Sequence, residues 1–172
     1  MSCPITLSGM PLECKNIGGI KTVYIIDRSK VLNVAIDPIT EVISGITLSG
    51  TTKFSTYEMQ PQTSNLSSKT TNSVENNTSF IESTINLVFS KMTATRRLEL
   101  KALRLGQMAV IVRDNNDVYH YLGYDYPVEM QDSTNQTGTA FGDASGYNVN
   151  LIDRSFDEPY TVSSTIISGL IS

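Results

Sequence analysis

The sequence offers few residues whose types and spacing could do chemistry. The run Asp-Asn-Asn-Asp at 114–117 gathers carboxylate and amide oxygens, as a calcium-binding loop does. An EF-hand loop starting at Asp114 would need Gly at its sixth position and Glu at its twelfth, where this chain has Tyr119 and Asp125. The run is better interpreted as a turn, because Asn tolerates the positive φ angles of tight hairpins.

Catalytic groups are equally hard to assemble. His120 lies between two tyrosines in a strand-like segment, and no Gly-x-Ser-x-Gly elbow or Cys/His pairing supports a nucleophile. Gly18-Gly19 matches neither phosphate-binding pattern. Four acidic residues could supply the paired carboxylates of a glycosidase, but no spacing singles out two of them: Glu82, Glu99, Glu129 and Asp143. The sequence therefore predicts a non-enzymatic protein without a cofactor.

The cysteine and histidine content argues against a metal site. Cys3, Cys14 and His120 are too few to build a Cys/His zinc site from this chain. The two cysteines could form a disulfide, but we favour the alternative that both are free thiols in a reducing compartment. The N-terminal residues show no signal-peptide pattern, and no apolar run approaches the ~20 residues of a membrane span. We expect neither Sec-type export nor membrane insertion.

Composition narrows the class of partner. The chain has 172 residues, a formal net charge of -4 and 17% charged residues, against a typical value of about 25%. A length of this order indicates one domain. The acidic balance excludes the basic footprint of a protein that grips nucleic acid through its phosphates.

The clearest secondary-structure signals lie in residues 79–123, which predict strand, helix, strand, turn and strand. Residues 81–89 alternate between a mainly apolar face and a mainly polar face, which is typical of a half-buried strand. The helix is predicted over 94–105, with Thr93 or Thr95 as N-cap and Gly106 as the stop. Residues 109–113 and 118–122 flank the polar run and predict a β-hairpin.

The rest of the chain is also rich in strand signals. Residues 1–19 are interpreted as an extended N-terminal arm, and 20–172 as a single mainly β domain. The polar tract 60–78 has two interpretations: a flexible loop or a long hairpin. Residues 131–144 are expected to form a loop. Further strands are predicted at 20–27 (central), 39–48 (with a possible bulge at Gly45), 53–59, 126–130, 147–151 and 160–167.

The predicted helix carries two apolar sides. Ala94, Leu98, Ala102 and Leu105 form one stripe at helical spacing, which is expected to pack on the sheet. Leu100 and Leu103, on the roughly opposite side, are expected to be buried against a partner. Replacing both by Asp is expected to leave the monomer folded and to abolish assembly. A basic row occupies a third side. The predicted subunit interface therefore consists of Arg96, Arg97, Leu100, Lys101, Leu103 and Arg104.

The order of parts resembles the tail-tube-like proteins of tailed bacteriophages, especially the ring proteins of crAss-like phages. The resemblance spans roughly residues 14–160 and follows a pattern with no single specific motif. Its parts are Cys14 before Gly18-Gly19-Ile20 and VYII, FIESTINLVFS, TRRLELKALRL, the AVIVRDNNDVYHYLG hairpin, Thr137-Gly138, and Ser145-Gly146-Tyr147 leading to Pro159.

This resemblance implies a β-sandwich or barrel with one flanking α-helix and long loops or hairpins. It also implies a structural virion protein, made in the host bacterial cytoplasm, that forms a hexameric or dodecameric ring in a tail tube or head-tail connector. Adjacent tail, connector or portal proteins would be its neighbours, and double-stranded DNA would pass only transiently through the lumen. The polar tract 60–78 would be a lumen-facing hairpin or a clamp over the next ring.

Two rival functions follow from other features. Eight tyrosines and polar loops could serve a carbohydrate- or receptor-binding β-sandwich, since aromatic rings offer stacking platforms. A small hydrolase ranks last, because only scattered carboxylates favour it.

Overall fold

The computed structural model describes residues 9–10 and 15–172, so Cys3, Cys14 and most of the predicted arm lie outside the described residues. The helices are α1 (Ala94–Leu105) and α2 (Ser164–Leu170). The strands are β1 (Ile20–Asp27), β2 (Val31–Ile36), β3 (Ile43–Leu48), β4 (Ser55–Glu58), β5 (Asn65–Ser73), β6 (Thr78–Ser90), β7 (Met108–Asp114), β8 (Tyr119–Leu122), β9 (Glu129–Gln136), β10 (Gly146–Ser155) and β11 (Tyr160–Val162).

The larger sheet has seven strands in the order β2-β3-β11-β8-β7-β1-β4. Strand β1 lies between β7 and β4, and Val23 is opposite Val112 of β7. Val23 and Ile25 point to one face of the sheet and Tyr24 and Ile26 to the other, and all four are buried. The predicted central strand at 20–27 is confirmed, because a strand that is apolar on both faces needs cover on both.

The smaller sheet has four antiparallel strands in the order β5-β6-β10-β9. In β6 the side chains of Ile81, Ser83, Ile85 and Leu87 are buried, as the alternation predicted. Within the tract 60–78, residues 65–78 form β5, the turn and the first residue of β6, so the hairpin interpretation is confirmed for this part. Strand β10 ends with Ser155 opposite Ile81, so among the described residues the hairpin tip beyond it pairs only with itself.

Two hydrophobic cores hold the fold together. The first lies between the sheets and joins Val110 and Val112 of the larger sheet to Ile85, Leu87 and Leu151 of the smaller one. This arrangement is a β-sandwich-like packing of two layers.

The second core lies on the other face of the larger sheet. It joins Val31 of β2 at one edge to Phe54, just before β4, at the other, with Ile167 and Leu170 of α2 among them. Phe54 also bridges to Ile171, after α2. Side chains from strands across the whole larger sheet thus belong to one core on this face.

The mainly β prediction is confirmed, with four local differences. Strand β2 was missed, and β3 starts at Ile43 because residues 38–40 form a turn. A register shift between Ala35 and Ile36, opposite Gly45, agrees with the predicted bulge. Residues 131–136 belong to β9 and were wrongly expected to be loop, since exposed polar edge strands lack an apolar alternation. Residues 164–167 start α2 and do not extend strand β11.

Candidate subunit interface

Helix α1 forms where the sequence predicted it, and its ends explain why. The hydroxyl of Thr93 accepts a hydrogen bond from the Arg96 backbone N–H at 3.3 Å, which caps the first turn. At the other end the Gly106 N–H donates to the Ala102 carbonyl at 3.0 Å. Thr93 is thus the N-cap of the two candidates, and Gly106 stops the helix.

The buried face of α1 is the one that carries Leu100 and Leu103. Leu103 is 7% exposed and belongs to the core between the sheets, and Leu100 packs against the same core. These two leucines are therefore core residues of their own subunit. Their assignment to a contact between subunits is corrected, because Leu103 is buried and Leu100 is half-buried against the same core.

Polar contacts fasten the same face. The Tyr57 hydroxyl donates to Glu99 Oε2 at 3.0 Å, and burial together with the nearby Glu99 carboxylate raises the pKa of Tyr57. The Arg96 guanidinium donates to the Lys91 carbonyl at 3.1 Å. Arg96 thus contacts its own chain, although it was predicted to contact a neighbour. These contacts fix the rotation of α1 about its axis.

The opposite face of α1 points to solvent and is partly apolar. Leu98 is 67% exposed and Leu105 is 72% exposed, so the prediction that the stripe through Ala94 and Ala102 packs on the sheet was wrong. Both stripes have helical spacing, and the buried one is completed by Arg96, whose long stem can cover apolar surface. Sequence periodicity alone cannot separate two such stripes.

The basic row lies beside this exposed face. Arg97, Lys101 and Arg104 are exposed and line a shallow groove of about 500 Å³ together with Ser133 of β9 and Tyr147 of β10. Among the ion pairs of residues 9–10 and 15–172, none involves these three cations. The outer surface of α1 thus carries two exposed leucines, Leu98 and Leu105, beside three cations that form no ion pair with the described residues. We call Leu98, Leu105, Arg97, Lys101 and Arg104 the α1 outer face.

The carboxylates considered for catalysis have separate, structural partners. Glu82 pairs with the Arg154 guanidinium at 3.1 Å, and Glu129 accepts from the Gln107 amide at 3.3 Å. Asp143 accepts the backbone N–H groups of residues 139 and 140, each at 2.8 Å, which lowers its pKa. With Glu99 bound to Tyr57, the four residues serve four different local contacts.

His120 lies near one carboxylate. Its Nε2 is 3.7 Å from Asp114 Oδ2, and it is partly exposed. In the described part of the chain, no group of three or more His, Cys, Asp or Glu residues is placed to hold a metal ion.

The polar run 114–117 is a turn, and it also has a role that the sequence did not reveal. Asp114 Oδ1 accepts the N–H groups of Asn116 and Val118, each at 2.8 Å, which closes the turn. Asn116 then exchanges two hydrogen bonds with the Ile17 backbone, each at 2.9 Å. The turn therefore clamps the end of the N-terminal arm where it enters β1.

The outer face of the smaller sheet carries a row of polar side chains. Asn86 donates to Asn148 at 2.9 Å and to Asn150 at 2.8 Å, and Asn150 donates to Asp132 at 2.6 Å. The amides of β6 and β10 and the Asp132 carboxylate of β9 thus form a continuous hydrogen-bonded row across three strands. The side chains of this row satisfy one another's hydrogen bonds.

No protein-family model, no curated protein and no solved structure matches the chain. None of the helices described is long and apolar enough to cross a membrane.

Proposed function

We propose that the protein is a ring-forming structural subunit of a bacteriophage tail tube or head-tail connector. The observation that carries this proposal is the α1 outer face. Two leucines, each about two-thirds exposed, lie beside three cations without ion partners in the described chain. An exposed apolar surface of this kind favours contact with another protein. Copies joined head to tail through such a contact close into a ring when the rotation between them is a whole fraction of a turn.

The polar outer face of the smaller sheet supports the conduit part of the proposal. The wall of a channel for DNA must not hold the DNA phosphates, because each cation that contacts a phosphate adds salt-dependent affinity for DNA. The row through Asn86, Asn148 and Asn150 presents amides already bonded to each other. Such a surface suits a lumen, whereas the basic row of α1 suits a protein neighbour.

The proposed setting is the virion tail, with synthesis in the host bacterial cytoplasm. The ring would contain six or twelve copies and would contact adjacent tail, connector or portal proteins. Double-stranded DNA would be present only during genome passage. The unsupported tip of the β5–β6 hairpin, residues 71–80, is well placed to contact the next ring, since an isolated two-stranded ribbon gains stability from a partner.

The proposal is tested by native mass spectrometry and electron microscopy of the purified protein over a range of concentrations. We expect closed rings with a central channel. Replacing Leu98 and Leu105 together by Asp is expected to abolish the rings and leave a folded monomer. Leu32→Asp is the matched control, because Leu32 is 66% exposed and lies on β2, away from α1. A protein that stays monomeric at every concentration and in assembled particles would refute the proposal.

The second candidate is a carbohydrate- or receptor-binding module. The aromatic rings of Tyr126 and Phe156 are 53% and 64% exposed, with centroids 6.0 Å apart, and exposed rings can stack on sugars. Glycan-array binding by the wild-type chain that is lost in Tyr126→Ala would favour this candidate over the ring.

A further inference from the structure

A second exposed surface has the charge and chemistry opposite to those of the α1 outer face. It is formed by the loop between β8 and β9 and the loop between β10 and β11. We call it the acidic aromatic patch, and it consists of Asp125, Tyr126, Phe156, Asp157 and Glu158, all of which are exposed.

The two loops are held together, so the patch is a built surface. Asp125 Oδ2 accepts the Phe156 backbone N–H at 2.9 Å, which ties one loop to the other. The Tyr126 and Phe156 rings pack on each other at 6.0 Å. The Tyr160 hydroxyl donates to Asp157 Oδ2 at 3.2 Å. These contacts hold the two aromatic rings beside Asp125 and Asp157, and Glu158 follows next in the same exposed loop.

The patch has a negative charge that the described residues do not neutralise. Its three acidic residues form no ion pair within residues 9–10 and 15–172. The nearby Arg28 directs its guanidinium to the carbonyls of Val31 and Tyr124, each at 3.3 Å. Burial, then the hydrogen bond to Asp157, and then the charges of Asp157 and Asp125 raise the pKa of Tyr160 to about 12.

We infer, on the basis of the proposed ring, that the α1 outer face of one copy docks on the acidic aromatic patch of the next copy. Three cations then meet three carboxylates, and Leu98 and Leu105 meet Tyr126 and Phe156. Aromatic anchors beside opposite charges are typical of protein interfaces. The two surfaces lie on different elements of one subunit, as a head-to-tail contact requires.

Charge reversal tests this pairing. Lys101→Glu with Arg104→Glu changes the helix side, and Asp157→Lys with Glu158→Lys changes the patch side. Asp125 is left intact because it joins the two loops. Each double variant is expected to raise the protein concentration for half-maximal ring formation by at least about tenfold, since like charges then face each other.

The decisive sample carries all four substitutions in one chain. Its net charge returns to -4, and we expect its rings to form within about threefold of the wild-type concentration, a difference under ~1 kcal/mol. Lys30→Glu with Lys53→Glu is the control, because it changes the net charge as the helix variant does but lies outside both surfaces. Circular dichroism of every variant confirms that the fold is retained.

The outcomes separate the two proposals. Rings that form normally in both double variants, or a four-substitution chain that fails to assemble while its fold is intact, would overturn the pairing and leave the ring standing. If the patch double variant unfolds, the helix double variant and Tyr126→Ser are each tested for assembly instead. Normal assembly of either one overturns the pairing. Wild-type protein that never assembles would overturn both. Two other results would assign these surfaces to other occupants and overturn the pairing. One is DNA binding that depends on Lys101 and Arg104 while their substitution leaves assembly unchanged. The other is sugar binding at Tyr126.

Discussion

Leu103 and Leu98 offer a matched pair of substitutions on one helix. Both are changed to Ala, so the chemical change and the small difference in helix propensity are the same. Leu103 is 7% exposed and lies in the core between the sheets, whereas Leu98 is 67% exposed on the α1 outer face. Any difference in the free energy of unfolding therefore reports where each side chain packs.

The structure sets the expected magnitudes. A buried Leu→Ala change loses the transfer free energy of its methyl groups and leaves a cavity, which together cost about 2–5 kcal/mol. For a chain of this size, a loss of ~3 kcal/mol lowers Tm by roughly 6–12 °C. A surface change stays within about 0.5 kcal/mol. We expect Leu103→Ala to be strongly destabilising and Leu98→Ala to be nearly neutral in the monomer.

The assay is urea unfolding of the monomer, followed by circular dichroism at a concentration below that of assembly, with Tm measured in parallel. Equal destabilisation by both substitutions would refute the assigned rotation of α1. A neutral Leu103→Ala together with a destabilising Leu98→Ala would restore the sequence prediction, in which the stripe containing Leu98 packs on the sheet.

Three further predictions concern other parts of the fold. Burial raises the pKa of Asp153 to about 6, so the stabilisation by its protonated carboxyl is fully present below pH ~4 and is lost as the pH rises through 6. In Asp153→Asn the side-chain oxygen should still accept the Gly123 N–H. Urea unfolding should show this variant to be more stable than wild type by about 2–3 kcal/mol at pH 7 but little changed at pH 4. Asn116→Ala removes both hydrogen bonds to Ile17 and should speed amide exchange at 15–19 without changing global Tm by more than ~3 °C; unchanged exchange would contradict the clamp. A Cβ at Gly146 would overlap a β6 carbonyl oxygen, so Gly146→Ala should cost at least ~2 kcal/mol by urea unfolding, and a neutral result would refute that close approach.

Much of the architecture could be predicted because local patterns and tertiary contacts agree there. The β6 alternation, the caps of α1 and the 114–117 turn each have a local physical cause, and each appears where it was expected. Strand β9 and helix α2 had no such signal. β9 is an exposed polar edge strand, and the apolar side chains of α2 mimic a strand that closes the sheet.

The candidate site was only half predictable. Helical spacing found both apolar stripes of α1, but the choice between them depends on Tyr57 and the core, which come from distant parts of the chain. The acidic aromatic patch was missed altogether. Its halves lie about 30 residues apart in the sequence, and tertiary contacts such as that of Asp125 with the Phe156 backbone and that between the Tyr126 and Phe156 rings bring them together.

In the proposed ring, the α1 outer face is a contact between copies. Electron cryomicroscopy of the assembled protein, at a resolution that shows side chains, tests this most directly. We expect a closed ring in which Leu98 and Leu105 are buried against the neighbouring copy, while Leu103 stays inside its own subunit. A ring with α1 facing solvent or the lumen, or particles that contain only monomers, would contradict it.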